Sequence, residues 1–298
     1  MKRPAPALLY SAIAAMVLFW SANFVVGKLA LREFPPGLLA GLRTTFAAAI
    51  ALPIYLWRRS NPKPSPQKSR RRPGLGSFLL LGLTGVAANQ AFFVLGLSRT
   101  SVAHSALLIG LTPVMVLLLA AAGRMEKLTA GKLAGMAIAL GGVAVLNASP
   151  SRTANASLAG DMLTLSGAAC FAVFTIISKR VTCDVDSITV TAAAYGSGAI
   201  MMAPVTLWHS LPFNYASVTL TGWASVLYMA AFPSVVCYLI FYWVLMYIPA
   251  SRVSAFSYAQ PLIATLMALP VLGESVTLSV AAGGVLVLLG VAVTERRR

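Results

Sequence analysis

Charged residues are scarce in this chain. Only 10% of its 298 residues are charged, whereas a soluble domain carries roughly 25%. Aspartate and glutamate together number only seven, while 58% of the residues are hydrophobic and the mean hydropathy is +0.82. This composition excludes an ordinary soluble domain and predicts an integral membrane protein.

Residues that carry metal, redox or hydrolytic chemistry are equally few. The three cysteines, Cys170, Cys183 and Cys237, show no metal-ligand or redox spacing. The sequence has only two histidines, His104 and His209. It contains no His-Glu-x-x-His motif and no Walker phosphate loop. We therefore expect no metal, no cofactor, no catalytic residue and no direct use of ATP, which disfavours a membrane enzyme.

The scarcity of charge leaves long apolar runs. About 20 apolar residues span the hydrocarbon core as a helix, whereas a membrane barrel shows ~10-residue segments of alternating polarity. The runs follow the first pattern and predict an all-α integral membrane protein with ten transmembrane helices. They lie at Ala7–Gly27, Pro36–Trp57, Gly74–Leu97, Val102–Gly123, Thr129–Asn147, Gly160–Ser178, Ser187–Trp208, Leu220–Tyr247, Ser251–Leu272 and Thr277–Thr294.

An internal repeat divides the chain into two related halves. Leu97–Val145 returns at Leu245–Val293 after a shift of 148 positions without a gap. Nearer the start of each half, Trp20 to Lys28 aligns with Phe171 to Lys179 at a shift of 151. Repeats define architecture, so we predict a five-helix unit over residues 1–147, a connecting loop over 148–159 and a second unit over 160–298.

The positive charges predict the orientation of the helices. With alternating helix directions, eighteen of the 23 Lys and Arg residues fall on one side and four on the other, and Arg43 lies within helix 2. The positive-inside rule then places both termini in the cytoplasm. An odd number of helices per unit makes the repeat inverted, as in many secondary transporters. The net charge of +16 is explained by these loops, so the expected partner is the lipid bilayer and not nucleic acid.

Short motifs resemble the EamA-type ten-helix carriers of the drug/metabolite transporter superfamily. They are Phe19-Trp20-Ser21-Ala22-Asn23-Phe24, Leu42-Arg43, Leu111-Thr112-Pro113 and the turns at Glu126 and Glu274. The resemblance implies transport of small metabolites, often export, across the inner membrane of a bacterium. Among these carriers the chain looks most like the exporters of aromatic amino acids.

Polar or aromatic side chains within the spans are candidates for a substrate site. Polar groups are expensive in lipid and often mark a transport pathway, although an amide can also bond only to a neighbouring helix. A cavity among helices 1, 3, 6, 8 and 9 would gather most of these side chains. The predicted substrate-binding residues are Trp20, Asn23, Asn89, Gln90, Phe93, Tyr238, Tyr242 and Tyr258.

Four further residues are candidate gate or structural residues. Arg43 could extend to the outer surface, hold a carboxylate or bind a helix end, and His104 lies near the outer end of helix 4. Glu126 and Glu274 occupy equivalent turns of the two units. The Gly-x-x-x-Gly pairs at 37–41 and 131–135 favour close helix packing, which is compatible with a monomer or a weak homodimer.

The sequence favours a small-molecule transporter over a membrane enzyme or a scaffold. No carboxylate lies in the middle of a span, and proton-coupled carriers commonly use one. We therefore expect an alternating-access exporter or facilitator for aromatic or bulky neutral amino acids. A multidrug or cationic-aromatic exporter and a carrier for nucleosides or sugars remain alternatives.

Overall fold

The computed structural model describes residues 4–61, 74–123, 129–148, 157–182, 185–248, 250, 253, 256–273 and 278–295. Within these residues the only regular secondary structure is helical. The long helices are α1 (Pro6–Ala30), α2 (Pro36–Ser60), α3 (Leu75–Arg99), α4 (Val102–Ala122), α6 (Leu158–Val181), α7 (Ser187–Ser210) and α8 (Leu220–Tyr247). Three further α-helices are α5 (Ala130–Ala148), α9 (Ala259–Leu272) and α10 (Leu278–Glu295).

Length and composition qualify seven helices as membrane spans. These are the seven long helices, and shorter apolar stretches occupy Ala130–Gly142, Ala259–Leu272 and Leu278–Gly290. Large apolar side chains lie open on the outside, with Ile200 75%, Leu207 63% and Trp208 77% exposed. Exposed apolar surface of this kind fits contact with lipid, so the structure confirms an all-helical, multi-pass membrane protein.

Local sequence explains where several helices begin. Pro6 and Pro36 occupy the first turns of α1 and α2, where a missing N–H costs nothing. Side-chain oxygens of Ser101, Ser157 and Thr219 cap α4, α6 and α8 by accepting backbone N–H groups. The Ser157 cap starts α6 at Leu158, within the segment expected to be the connecting loop.

The helices are irregular at repeat-equivalent places. A π-helical segment occupies Gly82–Ala87 in α3, and a second one occupies Ala230–Val236 in α8. The shift of 148 positions superimposes their starts. The α-helix of α4 is interrupted at Gly110 and Leu111, just before Pro113, and a 3-10 turn at Phe256–Tyr258 precedes Pro261. Proline lacks the N–H that would continue the helix, which explains the interruption of α4 and the 3-10 turn before Pro261.

Helix contacts repeat between the two halves. Helix α2 packs on α7 and α5 packs on α10, and each of these is a pair of repeat equivalents. The contact of α3 with α6 corresponds to that of α8 with α1, and the contact of α4 with α6 corresponds to that of α9 with α1. These contacts leave α1, α3, α4, α6, α8 and the start of α9 around a common centre.

Candidate functional site

A cavity lies at this common centre. The space within it, including open solvent at its mouth, is about 550 Å³. Six apolar or aromatic side chains, four amides, two hydroxyls and one guanidinium surround it. The lining residues are Trp20, Asn23, Phe24, Arg43, Asn89, Gln90, Phe93, Ile109, Thr112, Phe171, Tyr238, Ser257 and Gln260.

Six of the eight predicted substrate-binding residues line this cavity. They are Trp20, Asn23, Asn89, Gln90, Phe93 and Tyr238. Tyr242 does not line it and is buried behind Tyr238, with its ring also 5.7 Å from that of Phe174. Tyr258 ends the 3-10 turn, but its side chain lies outside the described part of the chain.

The four candidate gate or structural residues meet different surroundings. Arg43 is buried and lines the cavity, while Glu126 and Glu274 lie outside the described residues. His104 is buried away from the cavity, and its Nδ1 lies 3.3 Å from a carboxylate oxygen of Asp161. Asp161 is only 1% exposed and also accepts a 2.6 Å hydrogen bond from the Thr100 hydroxyl.

Sequence reasoning missed Asp161. It stands in the first turn of α6, where an acidic residue ordinarily interacts with the helix dipole in solvent. Only the packing of α6 against the start of α4 reveals it as a buried partner of His104 and Thr100. No feature of the linear pattern marks this contact.

Sequence reasoning also missed lining residues that the repeat could have identified. Thr112 and Gln260 each directly precede a proline, Pro113 or Pro261, and a shift of 148 positions superimposes them. The same shift takes Ile109 to Ser257, and both line the cavity. The proline interruptions therefore bring equivalent positions of α4 and α9 to one place.

Two aromatic donors bind the π-helical segments. The Trp20 indole N–H donates to the carbonyl of Pro233 at 3.0 Å, and the Tyr238 hydroxyl donates to the carbonyl of Gly85. Gly85 and Pro233 are repeat equivalents at the 148-position shift. A π-helical turn disrupts the regular backbone bonding, so these donors hold the irregular segments at the cavity wall.

Aromatic rings form much of the remaining wall. The rings of Trp20 and Phe171 meet edge to face at a centroid distance of 5.7 Å, and those of Phe24 and Phe93 do so at 5.3 Å. Edge-to-face pairs are favoured by the charge distribution of aromatic rings. The wall therefore offers a rigid apolar surface beside the amides.

The profile of the EamA-like transporter family matches this sequence twice, over residues 7–148 and 158–296. The chain belongs to the EamA-like transporter family. Membership confirms the resemblance to the drug/metabolite transporters and makes this EamA chain a transporter of small molecules and not an enzyme. Its substrate does not follow from membership.

Several proteins are similar to this EamA chain over nearly its full length. An uncharacterized transporter of Archaeoglobus fulgidus is 30% identical over 96% of this chain and 98% of its own. The uncharacterized transporter YyaM of Bacillus subtilis is 27% identical over 95% of this chain and 92% of its own. A protein of Streptantibioticus cattleyicolor, described as a probable terminal-alkyne amino-acid exporter, is 25% identical over 96% and 93%.

A solved crystal structure shares the fold of this EamA chain. It aligns over 98% of this chain and 97% of its own with a TM-score of 0.66. The sequence identity is 20%, so the likeness concerns the fold alone.

Proposed function

We propose that this chain is a secondary transporter that moves aromatic or bulky neutral amino acids across a bacterial inner membrane. It works by alternating access as an exporter or facilitator. The cavity between the two halves is the substrate site, and non-covalent binding to its wall selects the solute. The residues proposed to contact the substrate are Trp20, Asn23, Asn89, Gln90, Phe93, Tyr238 and Tyr258. Tyr242 supports this site from behind Tyr238.

One observation carries this proposal, namely that equivalent residues of both halves line one cavity. A site shared by two repeats can open to either side as the repeats exchange conformations. Irregular helices beside such a site are typical of secondary transporters, and both described π-helical segments, the interruption of α4 and the 3-10 turn before α9 flank it. The equivalent lining pairs are Trp20 and Phe171, Gln90 and Tyr238, Ile109 and Ser257, and Thr112 and Gln260.

The proposed architecture has ten membrane-spanning helices. Residues 1–147 and 160–298 form two inverted five-helix units joined by the loop 148–159, with both termini in the cytoplasm. The double match of the family profile and the recurring helix contacts support two equivalent units. The excess of positive charge on one side supports the orientation. We propose a monomer or weak homodimer, with Glu126 and Glu274 in the loops that act as gates.

The chemistry of the cavity supports an amino-acid substrate over the alternatives. Aromatic rings suit an apolar side chain, and the amides suit hydrogen-bonding groups. Arg43 is the charged residue among the described lining residues, so a cationic drug would meet repulsion there. The amino-acid exporter among the relatives is consistent with this choice. Because no described lining residue is a carboxylate, we propose transport without strong proton coupling.

Uptake into proteoliposomes tests the proposal. Purified protein is reconstituted and given single labelled amino acids, first without an ion gradient and then with a proton or sodium gradient. We expect phenylalanine, tryptophan and leucine to equilibrate without a gradient, while glutamate, lysine and glucose stay outside. Movement only with a gradient rejects the uncoupled mechanism. Failure of every amino acid under all gradients rejects the substrate class.

A further inference from the structure

Arg43 is a buried cation whose hydrogen bonding is incomplete. The side chain is 2% exposed, and its Nε donates to the hydroxyl of Ser234 at 3.0 Å. Its Nη1 is buried without a hydrogen-bond partner, although a guanidinium carries five N–H donors. Among the described residues, no carboxylate forms an ion pair with it. Such a group is costly in a membrane protein unless something else completes its interactions.

Two contacts fix the guanidinium at the cavity wall. Ser234, which receives the Nε bond, lies in the π-helical segment of α8 and itself donates to the carbonyl of Met229 at 2.8 Å. The guanidinium carbon of Arg43 also lies 5.8 Å from the centroid of the Phe93 ring, within range of a cation–π interaction. The cation is therefore oriented by the protein and does not extend to the surface.

Asn23 supplies the complementary unfilled acceptor. It lines the same cavity from α1, and its side-chain oxygen is buried without a hydrogen-bond partner. A buried oxygen left in this condition is unfavourable, because it has lost its hydrogen bonds to water. The cavity is therefore lined by a positively charged donor, Arg43, and by an acceptor, Asn23, each with an unpaired atom.

We infer that Arg43 and Asn23 together bind the head group of a zwitterionic α-amino acid. The Arg43 guanidinium pairs with the carboxylate, and the Asn23 oxygen accepts from the ammonium group. The apolar side chain of the substrate then packs on the aromatic wall. This inference rests on the proposed function, because it specifies what the cavity recognises in an amino acid.

Charge and geometry give this arrangement its selectivity. A guanidinium binds a carboxylate with two parallel hydrogen bonds, which an amide or an ester cannot reproduce. An amine without a carboxylate leaves Arg43 unpaired and brings a second positive charge near it. A carboxylate without an amine leaves only the neutral Asn23 oxygen unpaired, which is a smaller loss.

Competition in proteoliposomes tests the head-group site. Unlabelled phenylalanine, phenylalaninamide, phenethylamine and 3-phenylpropionate compete with labelled phenylalanine for entry. We expect phenylalaninamide and phenethylamine to compete at least about tenfold more weakly than phenylalanine. The strength of competition by 3-phenylpropionate should fall between that of phenylalanine and that of the two amines, since losing a charged partner costs more than losing a neutral one. Equal competition by phenylalanine and phenethylamine overturns the inference.

Variants identify which residue binds the carboxylate of the substrate and which binds its ammonium group. Arg43→Gln should raise the half-saturating phenylalanine concentration at least about tenfold, and Arg43→Lys should raise it less because the charge remains. In Asn23→Ala, phenylalanine and 3-phenylpropionate should compete with more nearly equal strength, because the partner of the ammonium group is gone. Phenethylamine should still compete weakly. Unchanged half-saturation in a folded Arg43→Gln protein overturns the role of Arg43.

Arg32 provides the matched control, because it is exposed in the turn after α1. Arg32→Gln removes the same charge and should leave half-saturation unchanged. Gel filtration and thermal unfolding check that each variant folds. If Arg43→Gln does not fold, Arg43→Lys and the competition series on the native protein decide the matter.

A binding measurement separates this inference from the proposed function. Should the native protein move no amino acid, the proposed function fails, and the thermal unfolding midpoint is measured with 3-phenylpropionate and with phenethylamine. A rise with the carboxylate alone, lost in Arg43→Gln and reduced in Arg43→Lys, supports the anion site independently of transport. Equal effects of the two compounds reject it.

Discussion

At the residue scale, two adjacent amides of α3 have different surroundings. The Asn89 side-chain N–H donates to the carbonyl of Gly167 in α6 at 2.9 Å, so this amide joins two helices. Gln90 lines the cavity at the position equivalent to Tyr238. Both amides line the cavity, and Asn89 in addition joins α3 to α6.

This difference predicts separable effects of two alanine substitutions. Gln90→Ala should raise the half-saturating substrate concentration about threefold to tenfold, the equivalent of one hydrogen bond, and leave the unfolding midpoint unchanged. Asn89→Ala should lower the unfolding free energy by about 0.6 kcal/mol, the average for such bonds in membranes. Transport kinetics and thermal unfolding of both variants provide the comparison. Normal kinetics in Gln90→Ala would remove Gln90 from the site.

Among two histidines and seven acidic residues, nothing in the sequence indicates that His104 and Asp161 form a buried contact. Their separation along the chain is large, and neither stands in a motif. The repeat shift does not relate them either. By contrast, the polar positions Asn23, Asn89 and Gln90 were predictable, because an amide in the middle of an apolar run is conspicuous without a structure.

At the element scale, small residues set the contact between α5 and α10. A methyl group added at Gly142 would lie 2.7 Å from the backbone nitrogen of Val287 and 2.8 Å from the carbonyl oxygen of Gly283. At the equivalent Gly290 it would meet the backbone of Ala139 and of Gly135. The two crossings are related by the 148-position shift, so both helices depend on the same close approach.

The neighbouring Gly141 makes this dependence testable. A methyl group at Gly141 meets nothing within 4 Å, so Gly141→Ala should be neutral or slightly stabilising because alanine favours the helix. Gly142→Ala must separate two backbones and should cost about 1–3 kcal/mol, as overpacking does. Thermal unfolding of both variants in the same detergent gives the comparison. Equal stability of the two proteins would contradict the packing explanation.

The positions of the helices were predictable from the sequence, whereas the positions of the irregular segments were only partly predictable. Apolar length locates the spans because lipid demands internally bonded backbone. Among the irregular segments that the structure describes, those at Gly110 and Leu111, at Ala230–Val236 and at Phe256–Tyr258 lie near or contain a proline, namely Pro113, Pro233 and Pro261. The π-helical segment Gly82–Ala87 contains no proline. Its carbonyl at Gly85 is held by Tyr238 from a distant helix, so only the tertiary contact identifies it.

At the scale of the whole molecule, the proposed inverted repeat sets opposite directions for equivalent segments. The turn after α1 contains the exposed Arg32, and the equivalent turn after α6 leads to Asp186, which caps α7. In an inverted repeat these two turns face opposite sides of the membrane. In a parallel repeat they would face the same side.

Single-cysteine labelling distinguishes these arrangements. In a chain with alanine at positions 170, 183 and 237, Arg32→Cys should react with a membrane-impermeant maleimide added outside intact cells. Asp186→Cys should react only after the membrane is permeabilised, because positive-inside orientation places it in the cytoplasm. Labelling of both residues from one side would refute the inverted repeat.

The sequence by itself determined the membrane class, the repeat and the family, because lipid imposes long apolar runs and duplicated segments preserve their motifs. It also singled out six cavity-lining residues from their polarity or aromatic character. The tertiary structure alone decided that Arg43 faces the cavity, that Tyr242 does not, and that Asp161 is buried against His104. Those outcomes depend on which helices pack against one another, and the sequence pattern of a single helix does not indicate which helices will contact it.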